Sequence, residues 1–470
     1  MPMSLRTPPT GAVRTGLTWI PATLLLGAAL AGCSSVASRP QEAAATAAVA
    51  RATPQLDEAR ELARSAASLT GAERQASAAR IERLLSQLDN ATLTAAAAAM
   101  PAGDPLYNFA GRALLRRGLS LPRPFDGGAW TFNAGNRPPA EADGYRPPVK
   151  MAVLLPLSGS LATAAAPVRD GLLTAYYGEA RRRPEIAFYD TAGGALQAYD
   201  RAVAAGSDFV VGPLGREEVT AMFSRGNLPV PVLALNRGGV EPPNGHASFS
   251  LSPEDEGLAA AEFLLGRGAR RVLVIASADE NQRRAVASLR ERLEQRGASV
   301  TAVATDSTED FAPFAQQEGG ADAIFLAVRG STARALMPKL ALVGLGDRPR
   351  VATSLLLSGT GKAEQDRVLD GTAFPAETWT NRGLRGLPSA SSVGATLPSA
   401  RGAAARLFAF GHDAWKLAAY LDHLARAANG YIDGATGVLR MDGFGNVQRT
   451  PAWSTFEGGR SVPLADAGRR

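Results

Sequence analysis

The chain has 470 residues, 46% of them hydrophobic and 20% charged, with a formal net charge of +6. A chain of this length and apolar content can bury more than one core. Only four lysines occur (Lys150, Lys339, Lys362 and Lys416). The arginines that carry the rest of the positive charge are scattered, with short clusters such as Arg181-Arg182-Arg183. Without a long basic run, the composition argues against a nucleic-acid partner.

The first 32 residues read as a secretory signal. Arg6 and Arg14 precede an uncharged apolar run, Leu17 to Ala31, that is short for a membrane-spanning helix. The run ends in Leu30-Ala31-Gly32-Cys33, the spacing of a bacterial lipobox, and Cys33 is the only cysteine of the chain. Cleavage before Cys33 and thioether attachment of diacylglycerol would anchor the protein. Each buried acyl methylene contributes about 0.8 kcal/mol, and several chains together hold stably without a spanning helix. Ser34 follows the cysteine. With no aspartate there, the bacterial sorting rule points to the periplasmic face of the outer membrane. With Cys33 acylated, no thiol is left for a disulfide, so stability must come from packed cores.

Residues 33–54 are alanine-rich and polar and read as a tether. Residues 55–118 have helical periodicity: Leu56, Ala59, Leu62 and Ala63 share one face, Ile81, Leu84, Leu85 and Leu88 another. A third helix over about Pro105–Arg117 carries Leu106, Phe109 and Leu114, and the group resembles a degenerate tetratricopeptide-type repeat. The Pro- and Gly-rich stretch 119–148 reads as a linker or an irregular docking segment.

From Lys150 onward, short apolar strands alternate with helices. The first set includes Met151–Leu155, Ile186–Tyr189, Phe209–Val211 and Val232–Leu235. The second includes Arg271–Ile275, Ala323–Val328 and Val351–Ser354. Such alternation predicts parallel sheets covered on both faces. The expected fold class is α/β: a two-lobed body of two Rossmann-like parallel sheets, preceded by a short all-helical segment. Lobe 1 is expected at about 149–252 and 371–430, the latter supplying a strand near Thr372–Pro375 and a long helix, Ala403–Ala425. Lobe 2 is expected at about 253–370, a hairpin-like closing segment at 431–458 and a tail at 459–470. Arg382–Ser399 reads as an exposed loop.

Motifs for catalysis are missing. The histidines His246, His412 and His423 lack metal-ligand spacing; the last two, eleven residues apart, would lie roughly 16 Å from each other on a helix. Gly359-Thr360-Gly361-Lys362 fails as a phosphate loop, because Leu356 and Ala363 replace its first glycine and its metal-binding hydroxyl. The positions three before the four lysines are Pro147, Leu336, Gly359 and Asp413, so no Ser-x-x-Lys nucleophile exists. Glu254, Asp255 and Glu256 follow Ser252-Pro253 and read as the acidic first turn of a capped helix. Asp413 and Trp415 read as packing and hydrogen-bonding residues. No enzyme, cofactor or metal is expected. A ligand would enter between the lobes beside the strand ends, where Ser158, Gly159, Gly212, Asn236 and Ser252 are the candidate lining residues. The second lobe offers no clear carboxylate for a ligand ammonium.

Several strings together resemble a known pattern. Lys150–Gly159, Val210-Val211-Gly212-Pro213-Leu214, Val232–Asn236 and Gly434–Gly445 are similar to type I periplasmic-binding proteins. More narrowly, Leu251–Glu256 and Gly411-His412-Asp413-Ala414-Trp415-Lys416-Leu417-Ala418 resemble the LpoA family of lipoprotein activators of penicillin-binding proteins. The resemblance runs from Lys150 to about Gly458. It implies a protein that docks on a class A penicillin-binding protein and stimulates peptidoglycan synthesis and crosslinking, with peptidoglycan as a further contact. The alternative is a lipid-anchored solute receptor for an amino acid or cell-wall fragment. The better-known members of that family carry a long N-terminal helical-repeat domain, whereas here a short helical segment, 55–118, lies between the tether and the linker.

Overall fold

The computed structural model describes residues 53–465, except 67, 70, 127–131, 133–136, 317–318 and 428–429. Cys33 and its lipobox lie outside the described residues.

Among the described residues, fifteen strands fall into two sheets. In chain order they are β1 (Lys150–Leu155), β2 (Glu185–Asp190), β3 (Phe209–Val211), β4 (Val232–Ala234), β5 (Ala247–Phe249), β6 (Arg271–Ala276), β7 (Ser299–Thr305), β8 (Ala323–Ala327), β9 (Arg350–Ala352) and β10 (Thr372–Ala376). After these come β11 (Ile432–Asp433), β12 (Val438–Met441), β13 (Asn446–Thr450), β14 (Ala452–Glu457) and β15 (Arg460–Pro463). The first sheet has the order β11-β12-β13-β5-β4-β3-β1-β2, the second β15-β14-β10-β9-β8-β6-β7. Both contain the same parallel core, β5-β4-β3-β1-β2 matching β10-β9-β8-β6-β7; at one edge β13 joins β5 in parallel and carries the antiparallel β12 and β11, whereas β14 and β15 join β10 antiparallel.

Why these runs form central strands is visible in their side chains. Successive residues of a strand point to opposite faces. Met151, Val153 and Leu155 enter one core, while Ala152 and Leu154 enter the other. In the second sheet Leu273 and Ile275 face one core, Val272 and Val274 the other. Both faces are buried, so the strands read as unbroken apolar runs. Each lobe also ties its first strand down in the same way. The Asp208 carboxylate, just before β3, accepts from the backbone N–H groups of Val149 (3.1 Å) and Lys150 (2.7 Å). Asp322, just before β8, accepts from those of Arg270 and Arg271 (3.1 and 2.9 Å).

Three boundaries differ from the expectation. The strand at 372–376 pairs with β9 in the second sheet rather than returning to the first lobe. The closing segment is not one hairpin: β11–β13 extend the first sheet, and β14 and β15 extend the second. Residues 460–463 of the expected tail form an edge strand. The chain therefore crosses between lobes three times, near Ser250, after β10 and at Pro451.

The long helix Ala404–Arg426 packs on the helix Ala162–Gly178 of the first lobe. Their crossing is close because each supplies a glycine. A Cβ at Gly171 would fall 1.9 Å from the Phe408 carbonyl oxygen, and one at Gly411 would fall 1.9 Å from that of Val168.

Before β1, the helices Thr53–Ser65, Gly71–Ser86, Asn90–Ala99 and Tyr107–Arg116 bury their own core around Leu84, Leu93 and Tyr107. Asp89 caps the third by accepting from the Thr92 N–H at 2.8 Å. The group rests on the first lobe, with the Phe109 ring 4.7 Å from that of Phe444 and the Arg112 guanidinium 3.8 Å above the Phe444 ring. The described residues of 119–148 also lie against this lobe: Phe132 is in its core, and the Arg137 Nε donates to Asp208 at 3.2 Å.

Candidate functional site

A cleft of about 980 Å³ opens between the lobes. From the first lobe it is lined by Arg216, Asn236 and Leu251; from the second by Gln282, Arg329 and Ser358 among others. Residues 390–406 form a third wall. Residues 390–399 of this wall belong to the stretch 382–399 read from sequence as an exposed loop, and they are ordered for a local reason. Ser389 caps the helix Ala390–Thr396, Trp379 stacks on Phe408 at 5.1 Å between centroids, and Leu387 and Val393 are buried beside them. The Ser399 hydroxyl donates to Asp170 at 2.6 Å and so pins the segment to the first lobe.

At the floor of the cleft sits a charge cluster drawn from distant parts of the chain. Glu256, only 5% exposed, accepts from the Ser354 N–H (2.9 Å) and hydroxyl (2.8 Å) and from the Arg406 guanidinium. The Nε of Arg406 also lies 3.3 Å from the carboxylate of Glu377, which is 3% exposed. Burial alone would raise the Glu256 pKa. The charges of Arg406 and Arg449 and the Ser354 hydrogen bonds outweigh it and hold the carboxyl below its usual range. Burial likewise works against the Arg406 charge, and Glu256 and Glu377 overcome it. Three groups, two anions and a cation, are thereby fixed across the lobe junction.

The other two acids of the 254–256 run are also paired. Glu254 meets Arg284 at 2.7 Å and, more loosely, Arg216 at 3.7 Å. Burial opposes its charge, yet Arg284 and Ser252 bring its pKa down to about 2. Asp255 accepts from Arg237 at 2.8 Å. Ser252 is the helix N-cap, as its sequence position suggested, accepting from the Asp255 N–H at 3.4 Å. What the capping argument missed is Glu256, which leaves the helix end and enters the cleft. No local signal marks it, because its partners Ser354 and Arg406 lie 98 and 150 residues away in sequence.

The five residues expected to line the cleft are not gathered in one place. Asn236 lines it, with its amide donating to the Leu214 carbonyl at 2.9 Å. Ser252 spends its hydroxyl on the cap and on Glu254 (2.6 Å). Ser158 and Gly159 are exposed beyond β1, the serine donating to Asp190 at 2.5 Å and the glycine taking a turn φ of +75°. Gly212 is buried with φ +103°, and a Cβ there would meet the Leu154 carbonyl oxygen at 2.1 Å. It is a close-packing glycine at the end of β3.

The histidines have local roles. The His246 Nδ1 accepts from the Val232 N–H at 3.1 Å, and burial lowers its pKa to about 4. His412 lies 3.6 Å from Asp413. Asp413 is fully buried and accepts from the N–H groups of Ala435 (2.6 Å) and Thr436 (2.8 Å) and from the Thr436 hydroxyl (2.6 Å). It holds the turn before β12, in keeping with its structural reading. Among the described residues no group of His, Cys, Asp or Glu has the arrangement of a metal site.

Two parallel-cored α/β lobes, connected by three crossings and enclosing a cleft, define a protein of the type I periplasmic-binding-protein-like fold. A family model described as "LppC putative lipoprotein" matches residues 145–312 and 310–459. The chain belongs to this lipoprotein family, which is the LpoA family. It is 27% identical over 355 residues to the penicillin-binding protein activator LpoA of Photobacterium profundum, covering 67% of this chain and 57% of that protein. With the protein of the same name from Vibrio cholerae it shares 29% identity over 349 residues, 65% of this chain and 57% of the relative. The alignments thus span little more than half the length of these relatives. Among solved structures, the C-domain of LpoA (YraM) from Haemophilus influenzae, described as a regulator of PBP1A, superposes with a TM-score of 0.59. At 21% identity it covers 67% of this chain and all of that domain. A protein of Chromobacterium violaceum described as a "putative branched-chain amino acid ABC transporter" gives a TM-score of 0.53 at 26% identity, over 66% of this chain and all of that one. Among the described residues no helix is long and apolar enough to cross a membrane.

Proposed function

We propose that this chain is a non-enzymatic activator of a class A penicillin-binding protein, held through Cys33 at the periplasmic face of the outer membrane, that raises peptidoglycan synthesis and crosslinking. The observation that carries the reading is the family match over residues 145–459, joined to curated relatives named as activators of penicillin-binding proteins. The interior of the cleft is consistent with it. Its buried carboxylates are engaged by the chain's own arginine. An activator needs no reacting group. It must bind the active conformation of its partner more tightly than the resting one, and a several-fold effect requires a coupling of only about 1–3 kcal/mol.

The test is to mix the mature chain with the purified class A synthases of its host on lipid II and follow crosslinked product. Faster crosslinking, with direct binding at micromolar affinity or better, is the expected result. Absence of both binding and rate change with every synthase of this class refutes the reading.

A further inference from the structure

The polarity of the cleft points to a ligand. Five arginines line it (Arg216, Arg284, Arg329, Arg401 and Arg406) against two glutamates, Glu256 and Glu377. Both glutamates are buried and already face Arg406, so an ammonium group entering the cleft would have to displace a guanidinium held inside the protein. Glu254 in turn neutralises Arg284 and leans on Arg216.

Two cations remain. Arg329, just past β8, has the Ser358 hydroxyl at 3.2 Å as its partner, and Arg401 on the third wall donates to the carbonyls of Gly394 and Ala395. Neither has a carboxylate partner among the described residues. Helix starts reinforce the sign. The helices Arg216–Ser224, Pro253–Leu265, Glu280–Gln295 and Ala404–Arg426 all bring first-turn residues to the lining, so their positive dipole ends lie toward the cleft. Gln282, Asn281, Ser391 and Thr380 add amides and hydroxyls to the lining. A volume of about 980 Å³ is at the upper end for a small-molecule site, the size of a short peptide or a disaccharide.

We propose that the interlobe cleft binds a small organic polyacid, a carboxylate-rich peptide or sugar acid, through Arg329 and Arg401, and that it does not select for a ligand ammonium. This inference is independent of the activator reading, since it concerns a binding event that needs no synthase.

The experiment titrates the full chain, purified in detergent, with citrate, glutarate, acetyl-alanyl-glutamate and the free-acid disaccharide tetrapeptide of peptidoglycan. Each is compared with its carboxamide form by calorimetry and thermal shift. At least one acid should bind saturably below millimolar concentration while its amide does not. The double substitution Arg329→Ala with Arg401→Ala should weaken that binding at least tenfold while the unliganded chain still unfolds in a cooperative transition. Arg348→Ala, an exposed arginine outside the cleft lining, should leave binding as it is. The proposal is overturned if none of the acids binds, if the amides bind equally well, or if the double variant keeps full affinity.

Discussion

Replacing Arg406 by alanine tests whether the charge cluster holds the two lobes together. The substitution removes the cation that lies between Glu256 and Glu377 and leaves both carboxylates, 5% and 3% exposed, without their main counter-charge. Breaking a buried pair by deleting one partner costs about 3–5 kcal/mol, because the remaining charge is desolvated and unpaired. Arg406 keeps 23% of its side-chain surface exposed, and Ser354 still donates twice to Glu256, so the lower end, about 3 kcal/mol at pH 7, is expected. The dependence on pH has a definite sign. In the native protein the Glu256 pKa is depressed, so its contribution is present above the ordinary carboxylate pKa of 4.5 and is lost as pH falls through the lower folded value. In the variant, burial without the arginine raises that pKa, and the carboxyl escapes the penalty by taking up a proton. The destabilisation should therefore be largest near neutrality and shrink as the pH drops toward 4.5 and below. Urea unfolding of both proteins between pH 4 and 8 measures this. A loss below about 1 kcal/mol that is flat across the range would refute the argument that the cluster stabilises the junction.

Three other perturbations probe separate parts of the fold. Gly411→Ala places a methyl 1.9 Å from the Val168 carbonyl oxygen, so the two long helices must separate. A loss of about 3 kcal/mol or more in urea unfolding is expected, and a value within 0.5 kcal/mol of the parent, on the scale of a surface change, would mean the crossing is loose. Asp413→Ala strands two buried backbone N–H groups at Ala435 and Thr436. Each unsatisfied donor costs about 1–3 kcal/mol, and faster amide exchange over residues 434–441 should accompany the loss. His246, with a pKa of about 4 against an ordinary 6.5, must be neutral to fold. The unfolded chain takes up its proton first as pH falls, so stability decreases between pH 6.5 and 4 through this group. Its imidazole should titrate near 4 by NMR, and a midpoint above 6 would contradict its buried acceptor role toward Val232.

The sequence by itself determined the local elements and the outline of the fold. Runs such as Met151–Leu155 and Val272–Ile275 are apolar at every position, and only a strand covered on both faces makes use of that. Ser252-Pro253 announced a helix start because capping depends on neighbours a few residues apart. The strings from Lys150 to Gly445 were enough to place the chain near its family. Only the tertiary structure decided which sheet received a strand. Thr372–Ala376 is as buried beside β9 as it would have been in the first lobe, and an apolar pattern specifies burial without naming the neighbour. The same limit hid the cleft cluster. Glu256 looks like one more acid in a capped first turn, and Arg406 like a polar residue near the start of an amphipathic helix. What joins them is the crossing of the chain between lobes, which brings residues 150 positions apart within hydrogen-bonding reach. Periodicity and capping act over a few residues, whereas a charge pair at a lobe junction exists only once both lobes have folded.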